Sequence, residues 1–315
     1  MEFVGFLGNT ALKQRLSASF QAGKASHCYL LCGPEGSGKR TLAKILAAAL
    51  QCEGHTVPCG RCGSCRKVFA GIHPDVIVID DPEKKTVSVD LIRQLQADAY
   101  IRPNEGVKKI YLIPRSQDMT DNAQNALLKL IEEPPSYAVF LLLANNAEKL
   151  LPTVRSRAAE LRLEPVPRNE SLVWLQERFP QESRDSLLAA CVRSGGYLGQ
   201  AEALLQGAVQ LPQTAQFAQC FAERDRYGMT LLLCALEKQP REKLLEIFLQ
   251  WKQLIADALL VRSGIPGGPE AALLGRSRSA ADLAAAARTI QTAMDHCSAN
   301  VGAGHICGWL AVTLR

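Results

Sequence analysis

Gly33, Gly36, Gly38 and Lys39 fall within C-G-P-E-G-S-G-K-R-T, from Cys32 to Thr41. Glycines at that spacing let backbone N–H groups close round an anion at the start of a helix, and the lysine adds a point charge for terminal phosphates. The next position should carry the Ser or Thr hydroxyl that holds Mg²⁺, but it is Arg40. Thr41 comes one residue later, about 100° further round a helix, and cannot take that role. The residues Gly33, Gly36, Gly38, Lys39, Arg40 and Thr41 therefore form a degenerate phosphate loop with no Mg²⁺ site expected. Gly33, Gly38 and Lys39 could still hold the phosphates of ATP or ADP without the metal, while Arg40 and, further on, Pro114 argue against tight binding.

A second constellation is C-x6-C-x2-C-x2-C, made by Cys52, Cys59, Cys62 and Cys65. Four thiolates so close together can close a tetrahedral Zn²⁺ site, and with no open position its role is structural. The rival is an iron–sulfur cluster, but the downstream Cys-Pro of the ferredoxin run is missing. Gly60 and Gly63 each follow a cysteine and predict tight knuckles whose N–H groups reach sulfur. His55 is the weaker alternative ligand.

Two strands could carry acids toward the phosphate loop. Asp75 to Asp81 (D-V-I-V-I-D-D) reads as a buried strand ending in carboxylates. In the fold implied by the resemblance described below, the first strand after the loop lies at the sheet edge, where Asp80 and Asp81 could not reach a metal. The strand Lys109 to Ile113 is the one that should end in Asp-Glu to hold Mg²⁺ and polarise water, and it ends in Pro114-Arg115. With the hydroxyl and the acid pair both missing, the site is expected to be inactive. Asn145 follows the apolar strand Ala138 to Ala144, at the carboxyl end where open α/β sheets bind ligands.

The elements that must position these groups can be read from periodicity. Cys28 to Cys32 suits a buried parallel strand, and Leu42, Ile45, Leu46, Ala49 and Leu50 mark one face of the following helix. Helices are also predicted over Leu12 to Ala22, around Val89 to Ala99, and over Asp121 to Glu133, where Pro134-Pro135 ends the ladder. His27 is expected to pack or cap beside the loop. A last strand spans Glu160 to Leu163, and Glu164-Pro165-Val166-Pro167 reads as a boundary. Residues beyond it have helical spacing only. In particular Leu244, Ile247, Phe248, Trp251, Leu254, Ile255, Ala258 and Leu259 share one wide apolar face, and an alanine-rich helix runs from Ser279 to His296.

Composition places few further limits. The chain has 315 residues, 47% hydrophobic and 21% charged, enough for two or three domains with real cores. The formal net charge of +5 falls entirely within residues 1–163, compatible with a phosphate partner but weaker than a basic groove. No apolar run reaches the ~18 residues that span a bilayer, and Met1-Glu2-Phe3 lacks the basic region of a signal peptide. A cytoplasmic protein is expected, with its cysteine cluster reduced and metal-binding.

The run N-A-L-L-K-L-I-E-E-P-P (Asn125 to Pro135), then L-P-T-V-R-S-R (Leu151 to Arg157), resembles the bacterial DNA polymerase III clamp loader, within the AAA+ superfamily. The four-cysteine insert and H-C-Y-L-L-C-G-P-E-G-S-G-K match it too. The match is specific to about residue 165 and looser beyond. Within that family the chain resembles the delta-prime type of subunit, which keeps the fold and loses the chemistry, more than the gamma/tau motors. The resemblance implies an αβα AAA+-type domain with a zinc insert (1–165), a small helical lid (166–209) and an all-α collar (210–315). The lid glycines end in Gly199, which stands where the motors carry an arginine that touches the γ-phosphate. Ser156 and Arg157 stand where the family places a Ser-Arg pair whose arginine reaches the ATP of the adjacent subunit.

By resemblance, then, the chain is a non-hydrolysing stator in a hetero-pentameric ring with gamma/tau and delta subunits. It lends Arg157 to its neighbour and helps load the sliding clamp on primed DNA in the bacterial replisome. One alternative is an ATP-hydrolysing gamma/tau-type motor using Lys39 with Asp80. Another is a zinc-dependent DNA-binding module in which Arg61, Arg66, Lys67 and Phe69 flank the cysteines.

Overall fold

The computed structural model of the chain describes residues 1–206, 211–299 and 301–314. The chain divides into two compact units, Met1–Trp174 with Ser194–Ala201, and Leu175–Arg193 with Glu202–Arg315. The boundary expected at residues 209 and 210 lies outside the described residues.

In the first unit five strands and six helices are laid down in the order α1 (Thr10–Gln21), β1 (Cys28–Cys32), α2 (Lys39–Gln51), α3 (Gly63–Ala70), β2 (Val76–Val78), α4 (Val89–Ala99), β3 (Lys109–Ile113), α5 (Asp121–Glu132), β4 (Ala138–Ala144), α6 (Pro152–Arg155) and β5 (Ala159–Arg162). The strands form one sheet in the order β2-β3-β4-β1-β5, every pair parallel. Cys28 faces Phe140 and Cys32 faces Ala144, so the phosphate loop leaves the sheet beside the end of β4.

Strands β1 and β4 are buried along their whole length because helices cover both faces. The period-2 alternation sorts their side chains. Cys28, Leu30, Phe140 and Leu142 pack with Leu95 of α4 and Leu127 and Ile131 of α5. Tyr29, Leu31, Leu141 and Leu143 pack with Leu16 of α1, Leu42 and Leu46 of α2, and Val68 of α3. Thr120 caps α5 by accepting from Ala123 N at 3.2 Å, and the helix ends just before Pro134-Pro135.

The expectation of a buried strand over Asp75 to Asp81 needs correction. Only Val76–Val78 is a strand, and Val78 is 57% exposed. It lies at the sheet edge with β3 as its one neighbour, so one flank is left to solvent.

Asp75, just before that strand, is fully buried and was not singled out by its sequence context. Its carboxylate accepts from Asn104 N (2.6 Å), Asn104 Nδ2 (3.2 Å), Glu105 N (2.9 Å) and Gly106 N (2.7 Å), which fixes the turn into β3. Burial pushes its pKa up, but the three backbone N–H groups outweigh this and hold it below the usual carboxylate value. A depressed folded-state pKa contributes stability above the unfolded value near 3.9, and that stability is lost as pH falls through the folded value. Asp75→Asn, whose amide turns a donor toward those N–H groups, is expected to lower stability by about 2–4 kcal/mol at pH 7. The gap to the parent should narrow below about pH 4. Urea unfolding across pH 3–7 checks both, and a gap independent of pH would refute the assignment.

Beyond β5 the chain is helical: α7 (Arg168–Arg178), α8 (Arg184–Arg193), α9 (Leu198–Leu205), α10 (Pro212–Glu223), α11 (Arg226–Leu236), α12 (Arg241–Arg262), α13 (Pro269–Ser277), α14 (Ala280–Ser298) and α15 (Ala303–Thr313). The apolar face of α12 is core. Leu244, Ile247, Phe248, Trp251, Ile255 and Ala258 are buried, and Trp251 stacks on Phe217 of α10 with ring centroids 4.4 Å apart. Leu259, expected on the same face, is only half-buried at its rim. Ser279 caps α14 reciprocally with Asp282. No helix among the described residues is long and apolar enough to cross a membrane.

Candidate functional site: the phosphate loop, its acids and the cysteine cluster

The loop between β1 and α2 has the backbone a phosphate cradle needs. Gly36 and Gly38 adopt φ of 74° and 92°, the left-handed region that favours glycine. The lysine, however, is turned onto its own loop. Lys39 Nζ donates to the carbonyls of Gly33 (2.6 Å) and Pro34 (2.8 Å), and the residue is 9% exposed. Burial pushes its pKa down, with Glu35 acting against it. Arg40 and Thr41 both face solvent on the first turn of α2. Asn145 follows the Ala144 carbonyl that accepts from Gly33 N at 3.2 Å, so the sheet places it beside the loop. Its side is exposed and its N–H donates to Gln117 Oε1 at 3.2 Å.

A second segment of the same unit lies on the loop. Gly199 N donates to the Gly36 carbonyl at 3.0 Å, and Gln200 Nε2 donates to the Glu35 carbonyl at 2.7 Å. A β-carbon on Gly36 would lie 2.5 Å from Gln200 N, and one on Gly199 would lie 2.7 Å from Gly36 Cα. In this arrangement position 199 has no room for any side chain, let alone an arginine.

At the acid end, β2 is three strand spacings from β1, about 14 Å at the usual interval. Asp80 and Asp81, which follow β2, therefore lie too far off to share a metal with the phosphate loop. Asp80 is also occupied. Arg115, at the position where the sequence reading looks for an acid pair, binds its Oδ1 through Nε (2.9 Å) and Nη2 (2.6 Å), and donates to the carbonyls of Asp81 and Lys84. The sequence had pointed to the missing acids but not to this pairing, which joins residues 35 apart. His27 binds the Ile131 carbonyl at 2.9 Å through Nε2, a structural contact with α5.

Ser156 and Arg157 follow the short helix α6. Ser156 Oγ donates to Thr153 O at 3.1 Å. Arg157 is half-exposed and held in three places: Nε lies 2.7 Å from Glu132 Oε1, while Nη1 donates to Thr153 O at 2.9 Å and Ser156 Oγ at 3.3 Å. Arg155 pairs separately with Glu160 at 3.8 Å. Glu132, the last residue of α5, was not among the expected site residues. It lies in the motif that suggested the family, but nothing local marks it as the partner of Arg157.

The sulfur atoms of Cys52, Cys59, Cys62 and Cys65 all lie within 4.8 Å of one another, and His55 does not join them. Tetrahedral zinc at ~2.3 Å from each sulfur needs S···S separations of about 3.8 Å, so the set fits that ion with small adjustments. Backbone N–H groups already address the sulfurs. Gly54 N and Cys59 N donate to Cys52 at 3.3 Å each, Cys62 N to Cys59 at 3.4 Å, and Cys65 N to Cys62 at 3.4 Å. The N–H of Cys62, followed by that of Arg61, pulls the Cys59 thiol down to about 6. Of the two expected knuckles only Gly60 takes a positive φ, 68°. Gly63 is instead the first residue of α3, whose cap is the Cys62 sulfur itself.

A profile of the family described as "DNA polymerase III, delta subunit" matches residues 8–167. The chain belongs to that family. DNA polymerase III subunit delta' of Pseudomonas aeruginosa is 38% identical over 175 residues, 54% of this chain and 53% of that protein. The subunit delta' of Yersinia pestis is 34% identical over 263 residues, 80% of this chain and 75% of that protein. A DNA polymerase III subunit gamma/tau, from Mycobacterium bovis, is 31% identical over 199 residues, 62% of this chain and 34% of that protein. The chain thus spans about half the length of the Pseudomonas relative and a third of the gamma/tau one. The delta-family match contains the phosphate loop, the four cysteines, Arg115 and the Ser156-Arg157 pair, and it stops short of Gly199.

Proposed function

We propose that this member of the DNA polymerase III delta family is the delta-prime subunit of a clamp loader. It is an AAA+ stator that does not split ATP itself and lends Arg157 to the ATP site of a neighbouring motor subunit. In this reading residues 1–165 form the AAA+ domain with a structural zinc module, 166–209 the lid and 210–315 the collar. Gamma/tau and delta subunits complete a hetero-pentameric ring in the bacterial cytoplasm, and the ring loads the sliding clamp on primed DNA.

The observation that carries the proposal is Arg115 clamped on Asp80 where a hydrolase needs two free carboxylates. A cation there repels Mg²⁺, and no acid remains to orient the attacking water. Lys39 turned onto its own loop works in the same direction. What Arg157 offers is a fork already oriented by Glu132 and Thr153 on an exposed edge. A guanidinium in that state stabilises charge building on the equatorial oxygens of a transferring phosphoryl group, without an ordering step at the moment of reaction.

ATP turnover by the purified chain decides between this reading and a motor. Alone with Mg²⁺ and ATP it is expected to show no hydrolysis above buffer. Mixed with gamma/tau, delta, clamp and primed DNA, it should support turnover that the other subunits lack without it. Mg²⁺-dependent hydrolysis by the isolated chain would replace the stator with the gamma/tau-type motor.

A further inference from the structure

We propose that the C-terminal helical unit carries an oxyanion site, in which a carboxylate or phosphate group binds between Arg224 and Arg278. The two residues line a cavity of about 210 Å³ together with Phe221, Arg226, Met229 and Leu314.

One buried charge of this unit lacks a full set of partners among the described residues. Arg278 is 4% exposed and its guanidinium lies over the Phe221 ring, 4.2 Å from the centroid. Its Nε has no hydrogen-bond partner among the described residues. Asp282 is the acid beside it, but Oδ2 is 4.0 Å from Arg278 Nη1, beyond hydrogen-bond reach. That carboxylate is already engaged, since Ser279 N donates to Oδ2 at 3.4 Å in the cap of α14. Arg224 Nη2 approaches the same oxygen and also stops at 3.9 Å. Among the described residues two guanidinium groups therefore face one committed carboxylate, and neither is close enough to bond it. Burial first, and then the Arg224 charge, push the Arg278 pKa down. The other acid lining the cavity, Asp225, is tied to the first turn of α11, accepting from Gly228 N at 2.9 Å.

Backbone conformation supports the same reading. Arg224 follows the end of α10 with φ 61°, a left-handed position normally given to glycine or asparagine. A long cationic side chain held in a disfavoured conformation at the rim of a cavity is the kind of strain found at ligand clamps. An oxyanion entering between the arginines could accept from the Arg278 guanidinium where it lines the cavity and from the fork of Arg224 at 2.7–2.9 Å, contacts that Asp282 does not make. Phe221, Met229 and Leu314 would cover the carbon skeleton that bears the group.

The test uses the full chain and two probes, inorganic phosphate and acetate, each against sodium chloride at matched ionic strength. Binding to the folded state alone raises Tm by mass action, so at tens of millimolar at least one probe should raise it by about 3 °C or more. Titration calorimetry should give the same site a stoichiometry of one. A shift with phosphate alone assigns a phosphate group, and a shift with acetate alone assigns a carboxylate. Arg224→Ala removes an exposed side chain and should fold, yet it should abolish the shift. Arg278→Lys keeps the charge but drops the fork and should weaken binding at least tenfold. The proposal is overturned if neither probe exceeds chloride, or if Arg224→Ala responds as the parent does.

Discussion

Arg157→Ala is expected to slow ATP hydrolysis at the adjacent motor subunit's site in a reconstituted, DNA-stimulated loader by about 10³-fold, the lower end of what a trans-acting arginine contributes. The chain itself should remain folded. Arg157 is a half-exposed residue whose ion pair with Glu132 is worth no more than ~1 kcal/mol, and its removal leaves no buried group unpaired. Ring assembly, followed by gel filtration, should therefore match the parent while turnover collapses. Arg157→Lys should recover only a small part of the activity. A lysine ammonium cannot divide its donors between Glu132, Thr153 and a phosphate as a planar fork does. If the Ala variant turned over ATP at the parental rate, Arg157 would be a surface ion-pair residue like Arg155 and the finger assignment would be wrong.

On the reading of the cysteine cluster as a zinc site, removing the metal is the second large effect. Zinc held by four thiolates contributes roughly 10 kcal/mol or more in small zinc domains. Here the sheet has its own core, so the loss should fall on the segment from Cys52 through α3 rather than on the whole unit. Cys65 is the member to replace, because it is fully buried and its sulfur lies 3.7 Å from the Ala48 carbonyl of α2, joining insert to core. Metal analysis should give one zinc per chain for the parent and none for Cys65→Ser. Hydrogen exchange over residues 52–70 should rise by orders of magnitude in the variant or after chelation, while β1 and β4 stay protected. Equal protection of that segment with and without metal would remove zinc from the account.

Much of this architecture was legible because it rests on local or periodic signals. Continuous apolar runs at Cys28–Cys32 and Ala138–Ala144 announced strands covered on both faces, and Pro134-Pro135 placed the end of α5 within a residue. The cysteine spacing announced a cluster of four sulfurs that could hold a metal ion. The short, half-exposed β2 differs from the expectation because a run of seven apolar or acidic residues looks alike whether one flank is paired or two. Gly63 was misjudged because a glycine after a cysteine can open a helix as readily as turn a knuckle. Other features depended on partners far along the chain. Asp75 reaches residues 104–106, Arg157 reaches Glu132, and Lys39 could point outward or inward without any change in its neighbours. In each case the residue type was visible, but what it bonded was decided by tertiary packing.

The back-to-back glycines Gly36 and Gly199 bear on how such a subunit could change over time. Their backbones touch so closely that a methyl group on either would strike the other segment. On the proposed reading, a lineage of this protein moving toward an active motor would have to place a bulky cation at 199. That first step would force apart the segment that rests on the phosphate loop. On the proposed reading, a change to motor chemistry therefore meets a steric barrier at 199 as well as the chemical ones at 40 and 115.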